Sequence, residues 1–242
     1  ALLRTLALSA TYAQRSQAPA ELLRDDPLNT LLARGRSRPL AAEELRDTAL
    51  AASGLLVAKL GGPSVKPYQP AGLWEDAGTG KHYAQDHGEA LYRRSLYTFW
   101  RRTLPPPGLS CFDAPTREVA RARREPTQTP LQALVLLNDP QMVEAARVLA
   151  EELLVVAAED DQRMTLAFER LLTRAPREQE RVVLRGLLAR ERATYAAQAE
   201  RAEALRKVGE RVARAELASI EVAAWTVLVQ ALMNHAEVRV SR

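Results

Sequence analysis

Between Tyr92 and Arg124 the chain places eight arginines, at positions 93, 94, 101, 102, 117, 121, 123 and 124, against only Asp113 and Glu118. The whole chain carries +4, so the remainder is slightly acidic and the positive field is local. Guanidinium groups pair bidentately with sulfate, phosphate or carboxylate. Flat rings such as Trp74, Tyr83, Tyr92 and Trp100 can stack on sugar or base. Arg93, Arg94, Arg101, Arg117 and Arg124, with Trp74, Tyr92 and Trp100, are therefore the candidate ligand-binding residues. An acidic polysaccharide fits that chemistry, and nucleic acid does not, since no motif for reading a groove is present. The competing reading has the same arginines bridging loops to helix carbonyls and to carboxylates such as Asp113 and Glu118.

Paired carboxylates could hydrolyse a glycosidic bond, because that chemistry depends on their separation in space and not on sequence spacing. Asp113, Glu118 and Asp139 are the weak catalytic candidates. Each also has a structural reading, Asp113 as a turn residue before Ala-Pro and Asp139 as a helix cap. His82, His87 and His235, with Asp76, Asp86 and Glu89, match no zinc spacing, so no metal is expected. Gly78-Thr79-Gly80-Lys81 is only superficially a phosphate loop, because His82 stands where a hydroxyl is required and no buried strand precedes it. Cys111 is the single cysteine and excludes an internal disulfide, a thiolate cluster and attached haem. No cofactor is expected.

The elements that must position these groups read as mainly α: a helical scaffold with a loop-rich central segment and at most a short strand pair. Hydrophobic residues make up 47% and aromatics only 5% of 242 residues, with Ala and Leu abundant, which favours helices in one domain over 1–242. No apolar run approaches the roughly 20 residues that cross a bilayer. Leu2, Leu3 and Leu6 stand in helical spacing with no cap before them, so the chain reads as cut from a longer protein.

A short helix is expected from Ala1 to about Gln14, then a polar connection through Pro19, Asp25, Asp26 and Pro27. Pro39 at a first helical position and Glu43-Glu44 in a first turn predict a helix ending at Gly61-Gly62-Pro63. Seven of eleven glycines and eight of twelve aromatics lie between Gly61 and Phe112, so the segment 61–128 cannot be a long helix. A short strand is expected at Leu96–Arg102. Thr129-Pro130 and Asp139-Pro140 each pair a cap with proline at the next position, predicting helices from 130 and 140. Asp160 or Asp161 caps another helix, Pro176 opens a long one to about Val208, and a last one runs from about Ala215 to Asn234, the helical part covering 129–234.

Several stretches resemble one family. They are Pro39-Leu-Ala-Ala-Glu-Glu-Leu-Arg-Asp47, Tyr92-Arg-Arg-Ser-Leu-Tyr-Thr-Phe-Trp100, Phe112-Asp-Ala-Pro115, Thr129-Pro-Leu-Gln-Ala-Leu-Val-Leu-Leu-Asn-Asp-Pro140 and Ala223-Ala-Trp225. In this order they resemble the planctomycete domain of unknown function 1553, the C-terminal domain of large proteins that often begin with a cytochrome c domain. The chain departs from that pattern at Ala120, Gln128, Ala236 and Val238. The resemblance implies that the chain is the later part of a larger domain, because the family's tryptophan- and glycine-rich stretch ahead of Leu2 is missing, and that it belongs to an exported protein of the periplasm or cell surface; it carries over no catalytic residues. The expectation is a non-haem accessory module, leaning away from enzyme, that binds an acidic polysaccharide or a neighbouring domain of the same polypeptide. A carboxylate-dependent saccharide hydrolase and a structural spacer are the alternatives.

Overall fold

The computed structural model describes residues 2–78 and 80–241 and is mainly helical, with one short strand pair among the described residues. It divides into two units. The first comprises residues 2–40 with 239–241, the second residues 41–238.

In the first unit, α1 (Leu2–Ala7) and α2 (Ala20–Asp25) are single short turns of helix, and β1 (Arg38–Pro39) pairs antiparallel with β2 (Val240–Ser241). Its only buried residue among those described is Asp26, 4% exposed. Asp26 accepts the backbone N–H of Thr30 (2.7 Å) and Leu31 (2.8 Å) and the Thr30 hydroxyl (3.0 Å). The Leu31 amide leads in holding its carboxyl below the usual carboxylate range.

The second unit contains α3 (Ala42–Ala52), α4 (Leu73–Asp76), α5 (Pro107–Cys111), α6 (Pro130–Asn138), α7 (Pro140–Val156), α8 (Asp160–Leu172), α9 (Glu178–Ala197), α10 (Ala199–Arg206) and α11 (Ser219–Met233). Its centre is α11, apolar on nearly every side from Val222 to Met233, as a helix must be when others surround it. It packs on α7, α9 and α10, and Trp225 at its middle is fully buried. Gln230 and Asn234 donate side-chain N–H groups to the carbonyls of Leu137 (2.8 Å) and Ala133 (3.3 Å), fixing α6 against it. Asp160 and Asp161, in the first turn of α8, take Arg192 (2.6 Å) and Arg185 (2.5 Å) from α9.

The two proline-marked starts lie where expected. Thr129 Oγ1 accepts the Gln132 N–H and the Gln132 side chain accepts the Thr129 N–H, both at 3.4 Å, a reciprocal cap. Asp139 Oδ1 accepts the N–H groups of Gln141 (3.0 Å) and Met142 (3.3 Å).

Other boundaries differ from expectation, each for a local reason. The helix expected to reach Gly61 stops at Ala52, because the Ser53 hydroxyl takes the Ala49 carbonyl (2.9 Å) and Gly54 turns left-handed (φ 72°). Pro39 lies in β1 and not in that helix. Leu96–Arg102 forms no strand; it holds a 3₁₀ turn (Ser95–Tyr97) and single bridges such as Val65 to Thr98. The helix from Pro176 breaks at Gln198 into α9 and α10. The cap of α8 is Glu159 and not Asp160 or Asp161, α11 begins at Ser219, α1 ends at Ala7, and the polar connection contains α2.

One charge joins the helices to the loop segment. Arg46 of α3 is 7% exposed and donates to the Gln141 side chain (2.6 Å), the Ser95 hydroxyl (3.1 Å) and the carbonyls of Arg93 (2.9 Å) and Leu91 (2.7 Å). Asp47 beside it accepts the Ser95 N–H (2.7 Å). Burial lowers Arg46 to about 10, against the pull of Asp47 and Asp139, so it stays charged at neutral pH. Arg46→Met takes the donor from Gln141 Oε1, the Ser95 hydroxyl and the Arg93 carbonyl, while Leu91 keeps the Gln141 amide, and is expected to cost about 3–5 kcal/mol in urea denaturation.

A second arginine sets the acid limit. Arg174 grips Glu180 (2.6 and 2.8 Å) and Glu237 (2.9 and 3.0 Å). Its hydrogen bonds bring Glu180 down to about 2 from an ordinary 4.5. A depressed carboxyl contributes stability that is complete above its unfolded pKa and is lost as protons bind the folded form. The melting temperature is therefore expected to fall as pH drops from about 4.5 toward 2, and Glu180→Gln to flatten that part of the profile.

Candidate functional site

The arginine-rich segment sorts into inward and outward groups. Arg93 is 5% exposed and spends its guanidinium on the carbonyls of Lys59 (3.0 Å), Gly61 (2.5 Å) and Pro63 (3.2 Å), flat against the Tyr97 ring at 3.8 Å. The glycine turn at 61–62 is thus what the arginine organises. Tyr92 is buried with its hydroxyl on Glu144 Oε1 (2.8 Å), and burial first, then Glu144, raises its pKa well above the usual phenol range. Trp74 is 5% exposed, edge-on to Tyr83 (5.2 Å) and beneath the half-buried Arg101 (4.8 Å). Arg93, Tyr92 and Trp74 belong to the framework, and the expectation that they face a ligand is corrected accordingly.

Two further expected residues are exposed but paired. Arg94 stands 3.6 Å from Asp47, and Arg124 forms a two-pronged pair with Glu43 of α3 (2.6 and 3.0 Å). Trp100 is half-buried, packed beside Ala42, Leu109 and Ala114, and its indole N–H donates to the Thr116 carbonyl (3.1 Å). Arg117 lies over that ring, 4.4 Å from its centroid, and is itself exposed. Arg102, Arg121 and Arg123 are exposed with no ion-pair partner among the described residues, although they were not among the expected ligand contacts.

Arg117, Arg121, Arg123 and Arg124 sit on one clipped loop. Asp113, in left-handed backbone (φ 60°), accepts the Thr127 N–H (2.6 Å) and hydroxyl (3.0 Å) and so closes residues 114–126 at their base. Thr127 in turn accepts from Gln132 (3.2 Å), whose amide also reaches the Cys111 carbonyl (3.1 Å). The Arg124–Glu43 pair fastens the same loop to α3. From Thr116 to Leu131 every residue is exposed. A closed surface loop of this size, ends together and side chains outward, is an Ω-type loop.

The three carboxylate candidates do not converge. Asp113 has both oxygens on Thr127, Glu118 is exposed on the loop, and Asp139 caps α7 while lining a cleft in which no other carboxylate appears. The acids that do cluster escaped sequence reasoning. Glu144, Arg147 and Glu151 are fully or almost fully buried on one stripe of α7, with Arg147 on Glu151 (2.7 Å) and Glu144 on the Arg211 N–H (2.6 Å). Their spacing of three and four residues was a readable signal, masked because α7 is apolar around them. Gly209 (φ 90°) lies so close that a Cβ there would enter the Glu144 carboxyl.

One group could offer metal ligands: atoms of Glu180, His235 and Glu237 lie within 4.8 Å of one another. The positive charge there is already supplied by Arg174, which bridges both carboxylates. His82 pairs with Glu75 and His87 with Glu210 (3.0 Å). Thr79 of the glycine-lysine motif lies outside the described residues.

If Asp113 is the clip, Asp113→Ala is expected to open the loop without unfolding the helices. Limited trypsin digestion checks this: cleavage after Arg117, Arg121 and Arg123 accelerates several-fold while far-UV circular dichroism is unchanged.

No curated protein and no solved structure matches the chain. The family model described as "Protein of unknown function (DUF1553)" matches residues 1–188, which contain the whole arginine segment, its loop and the helices that hold them. The chain belongs to the DUF1553 family.

Proposed function

We propose that this protein is an exported, non-enzymatic accessory module that holds an acidic polysaccharide on the loop 114–126. The observation that carries this reading is the exposed Arg117 lying over the Trp100 ring, 4.4 Å from its centroid, while Arg121 and Arg123 are exposed on the same clipped loop. A sulfated or uronic chain would lay its acid groups on the guanidiniums and a ring face on the Trp100–Arg117 stack. The setting, a periplasm or cell surface of a planctomycete, rests on the family resemblance alone. Saturation of Asp113 and the isolation of Asp139 weigh against two-carboxylate hydrolysis.

A neighbouring domain of the same polypeptide is the second reading. It is favoured by Leu131 (59% exposed) and Leu134 (55%), outward on α6 directly after the loop.

Affinity gels of heparin and of polygalacturonate separate the two. The protein is expected to be retained at low salt and released by added salt. The triple variant Arg117→Ala, Arg121→Ala, Arg123→Ala should bind roughly tenfold more weakly, as loss of three exposed charge pairs at about 0.5 kcal/mol each implies. Absence of retention, or elution of the variant with the wild type, overturns the polysaccharide reading.

A further inference from the structure

Beneath the Trp100 cluster a cleft opens between the loop segment and the helices α3, α6 and α7. The space in it that a water-sized sphere can occupy is about 60 Å³, several times the roughly 10–15 Å³ that one water needs. Its walls are apolar: Pro67, Tyr68, Pro106, Phe112, Leu45 and Met142. Besides the Tyr68 hydroxyl, which already accepts the Glu210 N–H (2.7 Å), four polar side chains line it: Arg46, Gln141, Asp139 and Thr98.

Two of these are already satisfied. Arg46 and Gln141 bind one another and the carbonyl of Leu91, so the guanidinium has little left for an anion. The other two are not. Thr98 is 6% exposed, and its Oγ1 meets no hydrogen-bond partner. A hydroxyl buried without a partner is costly to keep, and its presence calls for an explanation. Asp139 commits Oδ1 to the cap of α7, while Oδ2 meets no donor among the described residues. That oxygen faces Gly108 of the cleft wall, 3.8 Å from where a Cβ there would stand. Burial pushes the Asp139 carboxyl up, against the amides of Met142 and Gln141 and the charge of Arg46, as befits an oxygen short of donors.

We infer that this cleft binds an uncharged ring-bearing alcohol or phenol, its ring against the prolines and Phe112 and its hydroxyl between Asp139 Oδ2 and Thr98 Oγ1. The ligand hydroxyl donates to the carboxylate and accepts from threonine, so one head meets both the buried Thr98 hydroxyl and the Asp139 oxygen that the cap of α7 leaves open. An anionic ligand is disfavoured because its charge would face Asp139. A ring without a hydroxyl would leave both groups as they are.

Three probes of one shape test this on the full chain: phenol, toluene and benzoate, by titration calorimetry and thermal shift. Phenol is expected to bind saturably at low-millimolar concentration, with toluene and benzoate about five- to tenfold weaker, the discrimination that one hydroxyl recognised by buried polar groups provides. Thr98→Val keeps the shape and removes the hydroxyl. It should raise the melting temperature of the ligand-free protein and bring phenol binding down toward that of toluene. Asp139→Asn removes the charge and should restore part of the benzoate binding. Equal binding of phenol and toluene, unaltered phenol binding by Thr98→Val, or no saturable phenol binding each overturns the proposal. Because Thr98 lies outside the α7 cap, its variant remains informative even if Asp139→Asn destabilises the helix.

Discussion

A guanidinium withdrawn from water must find an acceptor for nearly every N–H it carries, and Arg46 finds its acceptors far away along the chain. They come from residues 91, 93, 95 and 141, so one side chain on an eleven-residue helix holds a loop segment and the start of α7 at once. The cleft and the loop segment beside it share that junction. The cleft owes its floor to Arg46 and Gln141, and Thr98 hangs from the same segment as Ser95. Replacing such a charge with a hydrocarbon of equal volume can be neutral in a protein designed around it, but here the acceptors stay behind.

The arginines show why composition could not sort an interior residue from a surface one. Arg93, Arg101 and Arg117 each lie on an aromatic ring, and all three look alike in the sequence. What separates them is the local supply of carbonyls. The irregular turn at 59–63 leaves three carbonyl oxygens without helical partners, and Arg93 fills that need although some thirty residues away. Arg117 meets no such turn, and from left-handed backbone (φ 64°) it stays exposed over the Trp100 ring. Arginine content announced a role for guanidinium groups, and the loops decided which role each would take.

Where a local rule suffices, the sequence was legible: mainly helical content, the paired starts at Pro130 and Pro140, and the apolar face of α8 all follow from caps and periodicity. Where tertiary contacts decide, it was not. The break at Gln198 has neither proline nor glycine to mark it, and α3 ends early because Ser53 turns back on its own last turn. Asp139 was legible as a cap, yet nothing in its neighbours showed that its second oxygen would face a cleft. Thr98, set between Tyr97 and Phe99, reads as an ordinary strand former, and only its burial without a partner distinguishes it.

Residues 2–40 are built on a different principle from the rest. With Asp26 as their one buried side chain, and Leu28, Leu31 and Leu32 each at least 69% exposed, they are shaped by hydrogen bonds about a single carboxylate and not by an oily interior. Such a network opens at little free-energy cost and one bond at a time, without the cooperativity that burial confers. The expected consequence is low local stability, with backbone amides of this segment exchanging with solvent before those of the central helix.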